Sequence, residues 1–222
     1  MDYLCIYEDG NFRTYDACDF KEGEEYFLGF DQDNYLDIGQ DLEFLNKNRI
    51  YGKITSRYRH LYYTELFYSN PTYINNQRIF DETFPLLISG KMCNVFSFMD
   101  EKGYPFAFIF LSNDEAQWKE YEMEPWHMTI GGSIRNSDQF LENTPPDFMT
   151  FTFVEGSETN DACYYLSISE EAREDFWMIN DDNMIAPLEE NMRLELKRTY
   201  RFLYDDRYMF IIGGAVILYA KL

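Results

Sequence analysis

Apolar and polar residues alternate along most of this chain, and a period of two predicts strands. Residues 3–7 and 11–15 flank Glu8-Asp9-Gly10, a turn-forming group that closes a hairpin. Residues 26–30 read as a short aromatic strand. Residues 91–99 and 105–111 flank Asp100-Glu101-Lys102-Gly103 and form a second hairpin. Within it, Phe106-Ala107-Phe108-Ile109-Phe110-Leu111 is apolar on both faces, which predicts a central strand. Residues 148–155 and 163–168 pair around Gly156-Ser157-Glu158. Met192, Leu194, Leu196, Tyr200, Phe202 and Tyr204 share one parity. Asp205-Asp206 then turns the chain into a strand over 208–219, where Gly213-Gly214 suggests a bulge or a close backbone approach.

Helical signals are fewer. Ser112-Asn113-Asp114-Glu115 is a capping box ahead of 116–121. Ser167-Ile168-Ser169-Glu170 leads into 171–179, with acids in the first turn to suit the helix dipole. Residues 40–46 fit a short helix with Leu42 and Leu45 inward. The expectation is an α+β, β-rich fold, mainly antiparallel sheet built of hairpins with a few short peripheral helices. No repeat or Gly/Ser linker divides the 222 residues, so a single domain is expected. A possible subdivision lies near 143–147, Asn143-Thr144-Pro145-Pro146-Asp147.

Composition sharpens this picture. The 19 Tyr and 20 Phe favour strands and interfaces, and a chain of this length buries roughly 70% of its unfolded surface. Against that core stand 40 Asp and Glu and 19 Lys and Arg, a net charge of −21. Such a field repels nucleic acid and anionic membranes and attracts basic partners. Direct nucleic-acid binding and membrane association are therefore not expected. The four cysteines, Cys5, Cys18, Cys93 and Cys163, form no C-x-x-C pair, which suits a reducing compartment and gives no zinc pattern. The first residues lack the basic and apolar regions of a signal peptide, and the apolar run 209–220 is too short to span a bilayer. A cytoplasmic protein is expected.

The acids gather in two tracts. The first holds Asp16, Asp19, Glu22, Glu24, Glu25, Asp31, Asp33, Asp37, Asp41 and Glu43, with Lys21 the only base among them. The second holds Glu155, Glu158, Asp161, Glu170, Glu171, Glu174, Asp175, Asp181, Asp182, Glu189 and Glu190, opposed by Arg173 alone. Tyr26, Tyr35 and Trp177 stand beside them as candidate anchors. Carboxylates on a rigid frame can imitate a duplex backbone, which carries one charge per about 1.7 Å of axis. They can equally plug a basic active site, with steering speeding capture and buried aromatics slowing release. One segment runs the other way: Lys47, Arg49, Lys53, Arg57, Arg59 and His60 lie among tyrosines with no acid from 44 to 64. These bases either neutralise the chain's own acids, dock an acidic face of a second copy, or hold a phosphate-containing ligand.

Catalytic patterns are weak. Cys93 and His127 would need contact and an oxyanion donor, and no Gly-rich elbow surrounds Cys93. Asp31-Gln32-Asp33-Asn34-Tyr35-Leu36-Asp37 fails as a calcium loop, because Leu36 and Leu42 occupy the Gly and Glu positions. The diglycines at 131–132 and 213–214 read as strand kinks. No cofactor or metal is expected. In composition alone the chain resembles the small acidic inhibitors: immunity proteins, antitoxins and viral anti-defence proteins. That resemblance implies a non-enzymatic protein that neutralises a basic, nucleic-acid-handling partner, and it assigns no residues. The partner-binding candidates are Asp16, Asp19, Glu22, Glu24, Glu25, Tyr26, Asp31, Asp33, Tyr35, Asp37, Glu170, Glu171, Glu174, Asp175, Trp177, Asp181 and Asp182. The alternative is a ligand-binding domain or enzyme for a phosphate-containing small molecule, using Lys53, Arg57, Arg59 and His60.

Overall fold

In the computed structural model, residues 2–8, 10–29, 36–38, 50–66, 71–80, 82–89, 92–113, 119–122, 126–205, 207–212 and 216–221 are described. The chain divides into two compact units, Met1–Ala116 with Leu222, and Gln117–Lys221. Residues 143–147 fall inside the second.

The first unit contains β1 (Tyr3–Glu8), β2 (Asn11–Asp16), β3 (Glu25–Gly29), β4 (Leu36–Asp37), β5 (Ile50–Arg57), β6 (His60–Glu65), β7 (Thr72–Ile74) and β8 (Gln77–Arg78). It continues with β9 (Thr83–Pro85), β10 (Ile88–Ser89), β11 (Met92–Cys93), β12 (Phe96–Met99) and β13 (Pro105–Ser112). One sheet runs β2-β1-β13-β12-β7-β8, another β4-β3-β5-β6-β9, and β10 pairs with β11. The both-sided apolar strand is indeed internal, because β13 lies between β1 and β12. The two larger sheets share one core: Leu4, Ile6, Phe96, Phe98 and Ile109 from the first meet Leu28, Ile54, Leu61 and Tyr63 from the second. The Tyr63 ring lies 5.2 Å from that of Phe96 and 5.8 Å from that of Phe98. Full burial of one such ring contributes about 1.5–3 kcal/mol.

The second unit contains β14 (Lys119–Glu122), β15 (His127–Gly131), β16 (Gln139–Phe140), β17 (Met149–Val154), β18 (Cys163–Ile168) and β19 (Phe176–Ile179). It ends with β20 (Ile185–Pro187), β21 (Met192–Glu195), β22 (Thr199–Tyr204), β23 (Arg207–Ile212) and β24 (Val216–Lys221). The sheets are β14-β24-β23-β22-β19-β20 and β16-β15-β17-β18-β21. Met128, Ile130, Phe151, Leu166 and Leu194 of the second pack against Phe176, Phe202, Met209 and Ile211 of the first. Each unit is thus a β-sandwich.

The expected α+β class is corrected to an all-β one. The only helical segments among the described residues are single 3-10 turns at Ala17–Asp19 and Arg173–Asp175. Where a helix was expected over 171–179, Phe176 and Met178 face the core at a period of two and pair with Tyr204 and Phe202 of β22. Sheet pairing there overrides the acid-rich helix start, as tertiary packing commonly overrides propensity. The helix expected over 116–121 gives way to β14, which pairs with β24. Residues 114–118 and the helix expected over 40–46 lie outside the described residues. The strand expected over 208–219 is a hairpin, β23 against β24. Among the described residues no helix is long and apolar enough to cross a membrane.

Candidate interaction surfaces

In the first unit, most of the described acids of the first tract are tied into local structure. Asp16 caps the 3-10 turn by accepting the Cys18 N–H at 2.8 Å, and that carboxylate holds the exposed Cys18 thiol above its ordinary pKa. The Tyr26 hydroxyl donates to the Asp19 carbonyl at 3.5 Å and to Glu24 at 3.2 Å. Tyr26 itself is buried, its ring edge-on to Phe20 at 4.8 Å. Glu25 pairs with Lys53 across β3 and β5. The Asp37 carbonyl accepts from Arg13. Asp31, Asp33 and Tyr35 lie outside the described residues.

The basic candidates come together on one hairpin. Arg57 and His60 are cross-strand partners flanking a two-residue turn, Tyr58-Arg59. Both turn residues are left-handed, at φ 53 and 64. A hairpin of this length requires that conformation, and Asn or Gly adopts it most readily. The alternation places Lys53, Thr55 and Arg57 of β5 beside Thr64, Tyr62 and His60 of β6 on one face. Thr55 is buried, and its hydroxyl has no hydrogen-bond partner among the described residues. Arg57, Tyr58, Arg59 and His60 are all exposed.

In the second unit, the acids flank β19 and β20, a strand pair that exposes Trp177 and Ile185. Glu170 and Glu171 occupy a turn closed by the Ala172 N–H on the Ser169 carbonyl at 3.2 Å. Glu174 and Asp175 follow in the 3-10 turn and lead straight into β19. At its other end, the Asn180 side chain accepts the N–H groups of Asp182 at 3.1 Å and Met184 at 2.8 Å, shaping a tight loop. Buried Arg201 donates to Asn183 and to the Asn180 carbonyl, which fixes that loop from beneath. Asp181 pairs with Arg198. β19 itself, four residues between the two groups of acids, is about 10 Å long. Between them Trp177 is 40% exposed, with Met184 and Ile185 on the loop and on edge strand β20 also exposed.

A shallow cleft beside this surface is lined by Ile168, Arg173, Phe176, Leu188, Glu189 and Glu190, with Arg173 3.6 Å from Glu190. Glu170, Glu171, Glu174, Asp175 and Asp182 are exposed and make no ion pair among the described residues. Asp205 lies next to them, its N–H donating to the Asp175 carbonyl at 3.3 Å. Met184, Ile185 and Asp205 were not among the expected contact residues. The signal for the first two was an apolar pair beside Asp181-Asp182, which reads as a turn.

Cys93 is buried in β11 of the first unit, and His127 is exposed on β15 of the second. Among the described residues no group of three His, Cys, Asp or Glu is placed to hold a metal ion.

No protein-family model matches the chain, and no curated protein matches it. Among solved structures, it is similar to the N-terminal FHA domain of EssC, a component of the bacterial type VII secretion apparatus. That likeness has 10% identity and a TM-score of 0.35, over 100% of this chain and 92% of the other. It is also similar to the Rv0020c FHA structure, at 18% identity and a TM-score of 0.32, over 50% of this chain and 92% of that one.

Proposed function

We propose that this chain is a non-enzymatic protein-interaction module whose second unit receives a basic segment of a partner protein. The observation that carries this reading is the surface around β19: the unpaired Glu170, Glu171, Glu174 and Asp175 before exposed Trp177 and Asp182 after it, with Met184 and Ile185 exposed on the following loop and edge strand. The −21 charge steers a cationic partner toward the chain. The local carboxylates orient it, and the Trp177 ring supplies the apolar anchor that slows release. In its sharper form, the module occludes a basic groove of a protein that handles nucleic acid, as an immunity protein, antitoxin or nucleic-acid mimic would. The test is titration with a Lys/Arg-rich peptide while tryptophan emission is followed. Binding that survives Trp177→Ala and Glu174→Lys unchanged would remove the reading.

A second reading rests on the β5–β6 hairpin. Arg57 and His60 share a face with the unpartnered Thr55 hydroxyl, which suits a phosphate-containing ligand. Pyrophosphate that raises the melting temperature, with loss of the rise in Arg57→Ala, supports it.

A further inference from the structure

The tip of the β5–β6 hairpin is a local inversion of the chain's charge. Four consecutive residues, Arg57, Tyr58, Arg59 and His60, are exposed, with Tyr58 at 85%. None of the three bases makes an ion pair among the described residues. The tip is also held in place. Glu22 accepts the Tyr58 N–H at 2.9 Å, and the Gly23 N–H donates to the Ser56 carbonyl at 3.0 Å. A large aromatic side chain displayed on a fixed turn between cations is the form of an interface anchor, because little ordering remains to be done on binding.

We infer that this tip docks on the carboxylate surface of the second unit of another copy of the chain. The inference rests on the reading above and names the basic segment: residues 57–60 of a second copy. Cations flank Tyr58 as acids flank Trp177. In the docked pair, Arg57, Arg59 and His60 meet the acidic ends of β19, and the Tyr58 ring lies on the Trp177, Met184 and Ile185 patch. Different patches meet, so the contact is heterologous and copies add head to tail. Each copy carries −21, which opposes encounter. Salt near 0.15 M screens that repulsion beyond about 8 Å while leaving pairs at contact range.

Sedimentation velocity of the full chain at that salt, over a dilution series, tests this. The mass of the wild type rises with concentration and passes that of a dimer. Arg57→Ala/Arg59→Ala and Glu171→Ala/Glu174→Ala/Asp175→Ala each sediment as monomers, with the wild-type circular dichroism spectrum. Mixed, the two variants form a complex that stops at one to one, because one tip and one surface remain. A wild type that stays monomeric at every concentration, or variants that assemble like it, overturns the inference. A monomeric wild type that still binds a Lys/Arg-rich peptide overturns self-docking and leaves the interaction module standing. If neither occurs, both fall. A monomeric chain whose melting temperature pyrophosphate raises only when Arg57 and Arg59 are present assigns the tip to a phosphate ligand, and also overturns it.

Discussion

The Glu22 carboxylate accepts the backbone N–H of Tyr58 at 2.9 Å, joining positions 36 apart in sequence. An acid of the first tract thereby pins the tip of the basic segment in a conformation that Tyr and Arg rarely adopt. The left-handed region costs a residue with a Cβ about 1–2 kcal/mol. Arg59→Gly should therefore stabilise the chain by about 1 kcal/mol, seen as a higher urea midpoint at unchanged slope. A lower midpoint would show that the turn is not strained.

Gly131 ends β15, and a Cβ there would overlap the Pro146 carbonyl; at Gly132 it would overlap that of Thr144. Backbone cannot swing aside as a side chain does. Gly131→Ala should cost about 3 kcal/mol or more, at the upper end of overpacking in a filled core. Thermal unfolding of the variant checks this, and a melting temperature within a degree of wild type would contradict the close approach.

Tyr63 is buried in the first core, its hydroxyl donating to the Tyr51 carbonyl at 3.2 Å and sharing a hydrogen bond with Thr72 at 2.7 Å. Burial pushes its pKa well above the usual phenol range, and burial raises Tyr164, Tyr200 and Tyr204 too. The unfolded phenol ionises near 10, so this stabilisation is complete below pH 10 and is lost as pH rises through the folded value. Tyr63 alone contributes up to about 1.4 kcal/mol of lost stability per pH unit above 10. Tyr63→Phe should lower stability by about 1–3 kcal/mol at neutral pH and flatten the alkaline decline. Urea midpoints from pH 8 to 11 decide it; equal slopes for the two proteins would be the contrary result.

The sequence carried the strands better than their assembly. Residues 163–168 are β18 as read, and the two-sided apolar run 106–111 lies inside β13. The row of even positions from Met192 to Tyr204 is split between two strands in different sheets, Met192 and Leu194 in β21 and Tyr200, Phe202 and Tyr204 in β22, with Leu196 in the turn between. Parity is local, and it cannot register that a turn, closed by the Arg198 N–H on the Glu195 carbonyl, hands the chain from one sheet to the other. The β5–β6 hairpin was not foreseen because Tyr58-Arg59 offers none of the Gly or Asn that marks such a turn. Its bases were visible as charge, and the acids of the second tract likewise. Their arrangement around β19 depends on strand pairing and on buried Arg201 fixing the 180–184 loop, relationships that composition does not encode.

The most direct measurement is the affinity of a Lys/Arg-rich peptide for the wild type and for Glu171→Lys/Glu174→Lys/Asp175→Lys, at salt near 0.15 M. The account predicts binding at least about tenfold weaker in the variant, a loss of about 1.4 kcal/mol, together with loss of the tryptophan response. Equal affinity and an unchanged response would show that the partner docks elsewhere.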